Sequence, residues 1–181
     1  MGTIAKSPAA PGTPEWRRMI TASKVPAILG ISRYTSQYAI WHEMAGLVDP
    51  VEKPRDRMTW GHVAEKSLSD WWLYKNPGWK LNPRRNGTYE ITYTDEALPF
   101  ANAATIDRRA YRPDAPRGQK FRILECKTAA HLRDWGRPGE QDSVPMDYYA
   151  QVQFQMGVSG IHTASVVVLG PVSYTHLRAH E

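Results

Sequence analysis

The segment Ile123-Leu124-Glu125-Cys126-Lys127 is the part of this sequence that decides its fold. Its apolar start predicts a β-strand, and successive side chains of a strand point to opposite faces. Glu125 and Lys127 therefore share one face, while Cys126 points to the other. A carboxylate and an ammonium on a mostly apolar strand are costly to bury unless they have a use. The segment thus predicts a core strand that also carries chemically active groups.

An aspartate, Asp107, follows the earlier β-prone piece 101–106. Together with Glu125 and Lys127 it would make a site for a divalent cation and an activated water, which is the chemistry of phosphodiester hydrolysis. The pattern is nevertheless short and degenerate. A Glu/Lys pair two residues apart is common on solvated strand faces, and an aspartate followed by two arginines can simply end a strand. Both interpretations stand on these residues alone.

The composition is that of a folded, basic chain of 181 residues, which is the size of one domain. Hydrophobic residues make up 41% of it and tryptophan occurs seven times, which argues against disorder. The net charge of +5 and the isoelectric point of about 9.4 favour a polyanionic partner through counterion release. Many basic proteins bind no nucleic acid, so the charge does not identify the partner.

Several classes of protein are excluded by what the sequence lacks. The single cysteine, Cys126, rules out an internal disulfide and a cysteine-built zinc site, and it suits a reducing compartment. No apolar run is long enough to span a bilayer, and the N-terminus lacks the apolar core of a signal peptide. We therefore expect a cytoplasmic protein with no membrane partner.

The pattern along the chain predicts an α/β (α+β) fold, in which helices flank a central mixed β-sheet. Residues 1–14 are expected to form a flexible arm, and residues 15–172 the folded domain. The apolar run 164–169 is expected to be a central strand. Three further helices are predicted in the first half of the chain: one at 24–29 with its N-cap at Thr21-Ala22-Ser23, one at 36–45, and a long one through Trp60, Ala64, Leu68 and Trp71 or Trp72 to Asn76. Strands at 88–93, 101–106 and 121–128 are expected to form an antiparallel meander. A last helix from Pro145 is expected to bury Tyr149, Val152 and Met156 and to carry Gln151 and Gln155 on an adjoining face.

The last residues, 173–181, break this pattern because they have no apolar periodicity. The string Ser-Tyr-Thr-His-Leu-Arg-Ala-His-Glu resembles translated adapter or vector sequence, so it carries no weight in the fold prediction. His176 and His180 have a spacing that would suit a metal on a helix, but an accidental tail explains them more simply.

Five motifs follow one another between roughly residues 16 and 170. They are Ile20-Thr21-Ala22-Ser23, Trp60-Gly61-His62-Val63-Ala64-Glu65, Ile106-Asp107, Leu124-Glu125-Cys126-Lys127 and Tyr149-Ala150-Gln151-Val152-Gln153. Their order resembles that of YqaJ-like viral recombinase domains, which are phage exonucleases related to lambda exonuclease, within the PD-(D/E)XK nuclease superfamily. The resemblance implies a restriction-endonuclease-like core and a domain that is truncated at its C-terminus.

The resemblance implies a metal-ion site and a set of catalytic residues. Asp107, Glu125 and the backbone carbonyl of Cys126 would ligate Mg²⁺ or Mn²⁺, which prefer hard oxygen ligands. Lys127 would position the attacking water and help to deprotonate it. Glu65 would add a carboxylate from the long helix. A plain interpretation exists for Glu65 as a residue on the surface of an amphipathic helix, and the side chain of Cys126 is expected to be a small core residue.

Gln151 would hold the catalytic lysine, the water or the bound phosphate, although it could also be an ordinary amide at a helix boundary. The resemblance also implies a pocket for the 5′-phosphate of DNA, in which Ser23 offers its hydroxyl at a helix N-terminus. Plain capping of that helix is the alternative. The other residues expected to bind DNA or its 5′-phosphate are Arg17, Arg18, Arg33 and Thr105.

These roles imply a metal-dependent deoxyribonuclease, most simply a 5′→3′ exonuclease on double-stranded DNA in a phage-type recombination system. The implied partners are duplex DNA with a free end, a single-strand annealing protein and further copies of the chain in a homotrimer, in a bacterial or phage-infected cell. Two rival interpretations stay open: a PD-(D/E)XK endonuclease of the restriction or repair type, and an inactive DNA-binding module. The chain departs from many relatives at Ile106 and Arg108, which flank Asp107 where those relatives carry Pro or Ser before the aspartate and Gly after it.

Overall fold

A computed structural model describes residues 2–49, 55–140 and 142–170, together with the backbone of 178–180; at 55–58 it likewise describes the backbone alone. The helices are α1 (Pro14–Arg18), α2 (Val25–Ile28), α3 (Gln37–Met44), α4 (Arg55–Lys75) and α5 (Met146–Ser159). The strands are β1 (Thr3–Ile4), β2 (Ile20–Thr21), β3 (Lys80–Leu81), β4 (Ile91–Thr94), β5 (Asn102–Ile106), β6 (Arg108–Tyr111), β7 (Phe121–Thr128), β8 (Ala164–Leu169) and β9 (Arg178–His180).

The described residues divide into two compact units, each with a mixed β-sheet flanked by helices. This confirms the predicted fold class, but the strands predicted as one meander belong to two different sheets. β4 and β5 lie in one sheet, whereas β6 and β7 lie in the other. None of the described helices combines the length and the apolar character that crossing a membrane would require.

The first unit comprises the described residues within 1–52, 91–105 and 146–160. Its strands run in the order β1-β4-β5-β2, with β1 antiparallel to β4 and β2 parallel to β5. The arm predicted at residues 1–14 is therefore wrong at Thr3–Ile4, which form a paired strand, and again at Pro14, which begins α1. The helix predicted at 36–45 is present as α3, and Ser36 caps it by accepting a hydrogen bond from Ala39 N at 3.1 Å.

The second unit comprises the described residues within 53–90, 106–145 and 161–181. β7 lies between β6, its antiparallel neighbour, and β8, its parallel neighbour, in the order β3-β6-β7-β8-β9. α4 packs on one face of this sheet. β8 lies between β7 and β9, so the central position predicted for 164–169 is confirmed. The buried cluster between helix and sheet consists of Ala64, Leu68, Trp72, Ala110, Leu124, Cys126 and Val167.

Some predicted helix faces are wrong. Trp60 was expected in the buried stripe of α4, but it is exposed, and the stripe begins at Ala64. On α5, Val152 is buried as predicted, whereas Tyr149 is exposed. Gln155 is fully buried, so this amide occupies a core position that the apolar pattern assigned to larger hydrophobic side chains.

The unpatterned tail, which the fold prediction left out, contains β9, which pairs antiparallel with β8 and places Ala179 opposite Val167. Residues 178–180 therefore belong to the second sheet. Residues 171–177 and 181 lie outside the described part of the chain, and they include His176 and the predicted domain end at 172.

Candidate active site

Asp107 occupies the single position between β5 and β6, at the edge of β7. The antiparallel ladder of β6 with β7 begins at the pair Arg108 and Leu124 and does not extend toward Cys126. The carboxylate of Asp107 takes the place of the missing strand partner, because its Oδ2 accepts a hydrogen bond from Cys126 N at 2.7 Å. The tertiary fold thus brings Asp107 onto the strand that carries Glu125 and Lys127.

The backbone carbonyl of Cys126 lies on the same edge of β7 as this aspartate. A strand residue directs its N–H and C=O toward the same neighbour, as the paired bonds of an antiparallel ladder show. Since the N–H of Cys126 points to Asp107 Oδ2, the carbonyl oxygen points to that side as well. The carboxylate and the carbonyl predicted to share a metal ion are therefore arranged on one edge of the strand.

Glu125 and Lys127 form a buried ion pair on the face of β7 opposite the α4 core. Lys127 Nζ donates to Glu125 Oε1 at 2.6 Å. Glu125 is 1% exposed, and the side chain of Lys127 is 18% exposed. Cys126 lies on the other face, in the cluster with α4, and burial raises the pKa of its thiol well above the usual value. The alternation predicted from the sequence is confirmed, and Cys126 is a core residue.

The electrostatics of the site favour a bound cation. Burial raises the pKa of Asp107 well above its usual value, the neighbouring Glu125 carboxylate raises it further, and the Lys127 ammonium opposes the shift. Burial also raises the pKa of Glu65 on α4, an effect that the nearby His62 counteracts. Because carboxylates packed together disfavour each other's ionised forms, a divalent cation among them would relieve the repulsion.

The donor set fits a hard cation that keeps part of its water shell. Asp107 and Glu125 supply carboxylate oxygens, and Cys126 supplies a carbonyl oxygen. Across 2–49, 59–140 and 142–170, no group of three or more His, Cys, Asp or Glu side chains is arranged to hold an ion by itself. Two carboxylates, one carbonyl and several waters match the preference of Mg²⁺ for few protein ligands. Glu65, whose charge raises the pKa of Asp107, belongs to the same neighbourhood without being needed as a ligand.

Gln151 lies half-buried on α5, in the first unit, where its predicted role toward the lysine or the phosphate stays a prediction. Sequence reasoning missed the importance of Gln155, one turn further along the helix. Its Nε2 donates to the carbonyl oxygen of Thr105 at 2.9 Å, and the residue is fully buried. Its spacing of three residues from the buried Val152 is the signal that places it on the inner face of α5.

The predicted phosphate pocket has a different local geometry from the one expected. α2 is capped at Lys24, whose side chain makes no capping bond, so the N-cap predicted at Thr21-Ala22-Ser23 is wrong. Ser23 is exposed, and its hydroxyl lies 3.1 Å from that of Thr21. Thr105 is also exposed, and its hydroxyl lies 2.8 Å from that of Thr92. The serine and threonine hydroxyls are thus presented to solvent without the aid of a helix N-terminus.

The three arginines predicted to bind DNA differ in the ion pairs that they form within the protein. Arg17 donates to Asp49 Oδ1 at 2.9 Å, and Arg18 is exposed. Arg33 makes a two-pronged ion pair with the buried Asp147, at 3.0 Å and 3.2 Å. That pairing gives Arg33 a structural role within the first unit, and its contact with DNA stays a prediction.

The family of YqaJ-like viral recombinase domains matches residues 15–162 of this chain. Uncharacterized protein YqaJ of Bacillus subtilis (strain 168) is 26% identical over 148 residues, which cover 81% of this chain and 41% of that protein. The chain therefore spans about two fifths of the length of this relative.

Two solved structures share the fold. LHK-Exo in complex with dAMP has a TM-score of 0.56 at 13% identity, over 92% of this chain and 77% of that one. An alkaline exonuclease (LHK-Exo) from Laribacter hongkongensis has a TM-score of 0.53 at 14% identity, over 93% and 83% of the two chains. At such low identity the likeness concerns the fold alone, and it agrees with the predicted α/β fold, in which helices flank a mixed sheet. The family match covers most of the chain, and this protein belongs to the YqaJ-like viral recombinase domain family.

Proposed function

We propose that this protein is a metal-dependent deoxyribonuclease that degrades double-stranded DNA from a 5′ end. The observation that carries the proposal is that the Asp107 carboxylate lies against β7, the strand that bears Glu125 and Lys127. Asp107 accepts a hydrogen bond from Cys126 N, and Lys127 donates one to Glu125. Such a pair of carboxylates beside an amine is suited to metal-assisted hydrolysis of a phosphodiester. Two structures that share the fold support the same reaction class: one is named an alkaline exonuclease, and the other is LHK-Exo in complex with dAMP.

The residues of the site have distinct roles in this proposal. Asp107, Glu125 and the Cys126 carbonyl would hold a Mg²⁺ or Mn²⁺, which would supply Lewis-acid activation of water and phosphate. Lys127, held against Glu125 at 2.6 Å, orients the attacking water and takes part in its deprotonation. Glu65 adds negative charge beside Asp107 and so strengthens the attraction for the cation. A single-strand annealing protein and two further copies of the chain are the proposed partners.

The proposal is tested by incubating the protein with linear duplex DNA and with covalently closed circular DNA of the same sequence. Linear DNA should be degraded to nucleotides in Mg²⁺, EDTA should stop the reaction, and the closed circle should stay intact because it has no end. Cutting of the closed circle would identify an endonuclease instead. Binding of the linear DNA without cleavage in Mg²⁺ or Mn²⁺ would overturn the enzymatic proposal in favour of a binding module.

Ser23→Ala is expected to reduce the preference for a 5′-phosphate over a 5′-hydroxyl end. The exposed hydroxyl of Ser23 is available to an anion, and one hydrogen bond to a charged group contributes about 1.5–3 kcal/mol. The ratio of the two initial rates should therefore fall by about tenfold or more. Ser67→Ala, at an exposed position on α4, is the control and should leave the ratio unchanged. An unaltered ratio in the Ser23 variant would exclude this residue from the pocket.

A further inference from the structure

Arg108 is a buried arginine at the start of β6, one residue after Asp107. Only 7% of it is exposed. It is paired in register with Leu124, and directly paired residues project to the same face, so its side chain lies on the side of the sheet that α4 covers. A positive charge in such a position is costly unless its donors are satisfied.

The guanidinium of Arg108 stacks on an aromatic ring, but two of its nitrogens have no hydrogen-bond acceptor among the described residues. It lies 3.8 Å from the centroid of the Tyr89 ring. Its Nε and Nη1 are buried and have no hydrogen-bond partner among the residues that the structure describes. A stacked ring satisfies the face of a guanidinium, whereas the N–H groups lie in its plane and still require acceptors. The stacking therefore explains the orientation of Arg108 but provides no acceptor for its Nε and Nη1 groups.

The surroundings of Arg108 add positive charge. Lys66 on α4 is exposed and close enough for its pKa to respond to both Tyr89 and Arg108, although Asp70, bonded to it at 2.6 Å, dominates that shift. Arg84 lies over the same Tyr89 ring at 5.9 Å. Two arginine side chains, Arg84 and Arg108, thus lie over the same tyrosine ring.

Arg112 shows what an arginine with a structural role looks like on the same part of the chain. It follows the other end of β6 and donates to both carboxylate oxygens of Asp114, at 3.1 Å and 3.3 Å. Its charge is compensated within the turn. Arg108 is deeply buried and has no such carboxylate partner among the described residues.

We infer that Arg108 is a substrate-positioning residue that binds a backbone phosphate of the DNA. The inference rests on the proposed function and adds to it the group that receives the phosphate. A phosphate supplies two acceptor oxygens to which a guanidinium can donate, and the Tyr89 ring holds the guanidinium plane in place. Nε and Nη1, which have no hydrogen-bond partner among the described residues, are the donors that the phosphate would satisfy.

The test measures DNA binding without metal, in EDTA, between about 50 and 200 mM KCl, for the unaltered protein and for Arg108→Met, Arg108→Lys and Arg112→Met. Loss of one phosphate contact should reduce the slope of log K against log salt by about 0.9 in the Arg108→Met variant. Its affinity should fall about tenfold, and KM in Mg²⁺ should rise by a similar factor. Arg112→Met removes the same charge and should leave both the slope and KM unchanged.

Arg108→Lys separates the charge from the fork. It should keep the salt slope, because the positive charge remains, and lose part of the affinity, because an ammonium cannot bind in the bidentate manner. This variant also decides the case if Arg108→Met fails to fold. Arg108→Met is expected to fold at least as well as the unaltered protein in thermal melts, since it removes a buried charge without a partner.

The inference is overturned if the salt slope and KM of Arg108→Met match those of Arg112→Met, or if Arg108→Lys has the slope and affinity of the unaltered protein. Either result leaves the proposed nuclease activity intact, provided that the unaltered protein cleaves linear DNA in Mg²⁺. Failure of the unaltered protein to cleave would contradict the proposed function instead, and the binding measurements would still report on Arg108.

Discussion

Replacing Lys127 with alanine is expected to abolish cleavage of linear DNA while leaving DNA binding in place. The amine of Lys127 lies against Glu125, at 2.6 Å, and removal of a positioned proton-transfer group typically lowers kcat by about 10²–10⁴-fold. Since Lys127 acts on the water in this proposal, binding affinity in EDTA should change little. Single-turnover cleavage and fluorescence anisotropy measure the two quantities separately.

Two further variants show whether a loss of activity in Lys127→Ala comes from the missing amine or from a loss of folding. Lys127→Ala leaves the buried Glu125 without the partner that the structure shows, which can destabilise the fold by about 3–5 kcal/mol. Lys127→Gln keeps a donor toward that carboxylate and should fold, yet it should be equally inactive. Lys80→Ala alters an exposed lysine on β3 of the same sheet and should retain full activity. A folded, fully active Lys127→Ala protein would refute the catalytic assignment.

Asp107→Asn is expected to remove activity and to stabilise the protein in the absence of metal at neutral pH. Loss of a metal-ligating carboxylate should remove several kcal/mol of transition-state stabilisation, which corresponds to about 10³-fold in kcat. The amide keeps an acceptor for Cys126 N, so the local hydrogen bond of 2.7 Å can persist. The variant no longer has a negative charge that burial and Glu125 disfavour.

The pH dependence of stability follows from the direction of the Asp107 pKa shift. The folded-state pKa lies above the unfolded value of about 3.9, so the folded protein binds more protons between the two values. The free energy of unfolding of the metal-free protein should therefore fall as the pH rises from about 4 through the folded-state pKa of Asp107. Mg²⁺ should restore stability above that range, where the carboxylate is ionised.

Thermal melts at several pH values, with and without Mg²⁺, measure these effects. Asp107→Asn should melt at a higher temperature than the unaltered protein without metal near pH 7, and Mg²⁺ should raise its melting temperature much less. Asp114→Asn is the control, because Arg112 lowers the pKa of that exposed carboxyl and so gives it the opposite pH dependence. A melting temperature for Asp107→Asn below that of the unaltered protein, together with an undiminished Mg²⁺ effect, would show that Asp107 is not a ligand.

Local patterns in the sequence predicted strands β5, β7 and β8 and the two faces of β7. β7 spans Phe121–Thr128 as predicted, with Glu125 and Lys127 on one face and Cys126 on the other, because the alternation of a strand depends only on neighbouring residues. The helix predicted at 36–45 is present at Gln37–Met44. Predictions were weaker for burial on helices, where Trp60 is exposed and Gln155 is buried, since the neighbouring elements decide which face is covered.

The sequence by itself determined the family, the α/β elements and the residues Asp107, Glu125 and Lys127, because ordered motifs and strand alternation are properties of the chain. Only the tertiary structure decided how these residues meet. The ladder of β6 stops at Arg108, so the Asp107 carboxylate reaches Cys126 N. The same pairing carries Arg108 to the face covered by α4, where its Nε and Nη1 have no hydrogen-bond partner within the described part of the chain. Such contacts join residues far apart in the chain, and their register depends on the packing of the whole sheet.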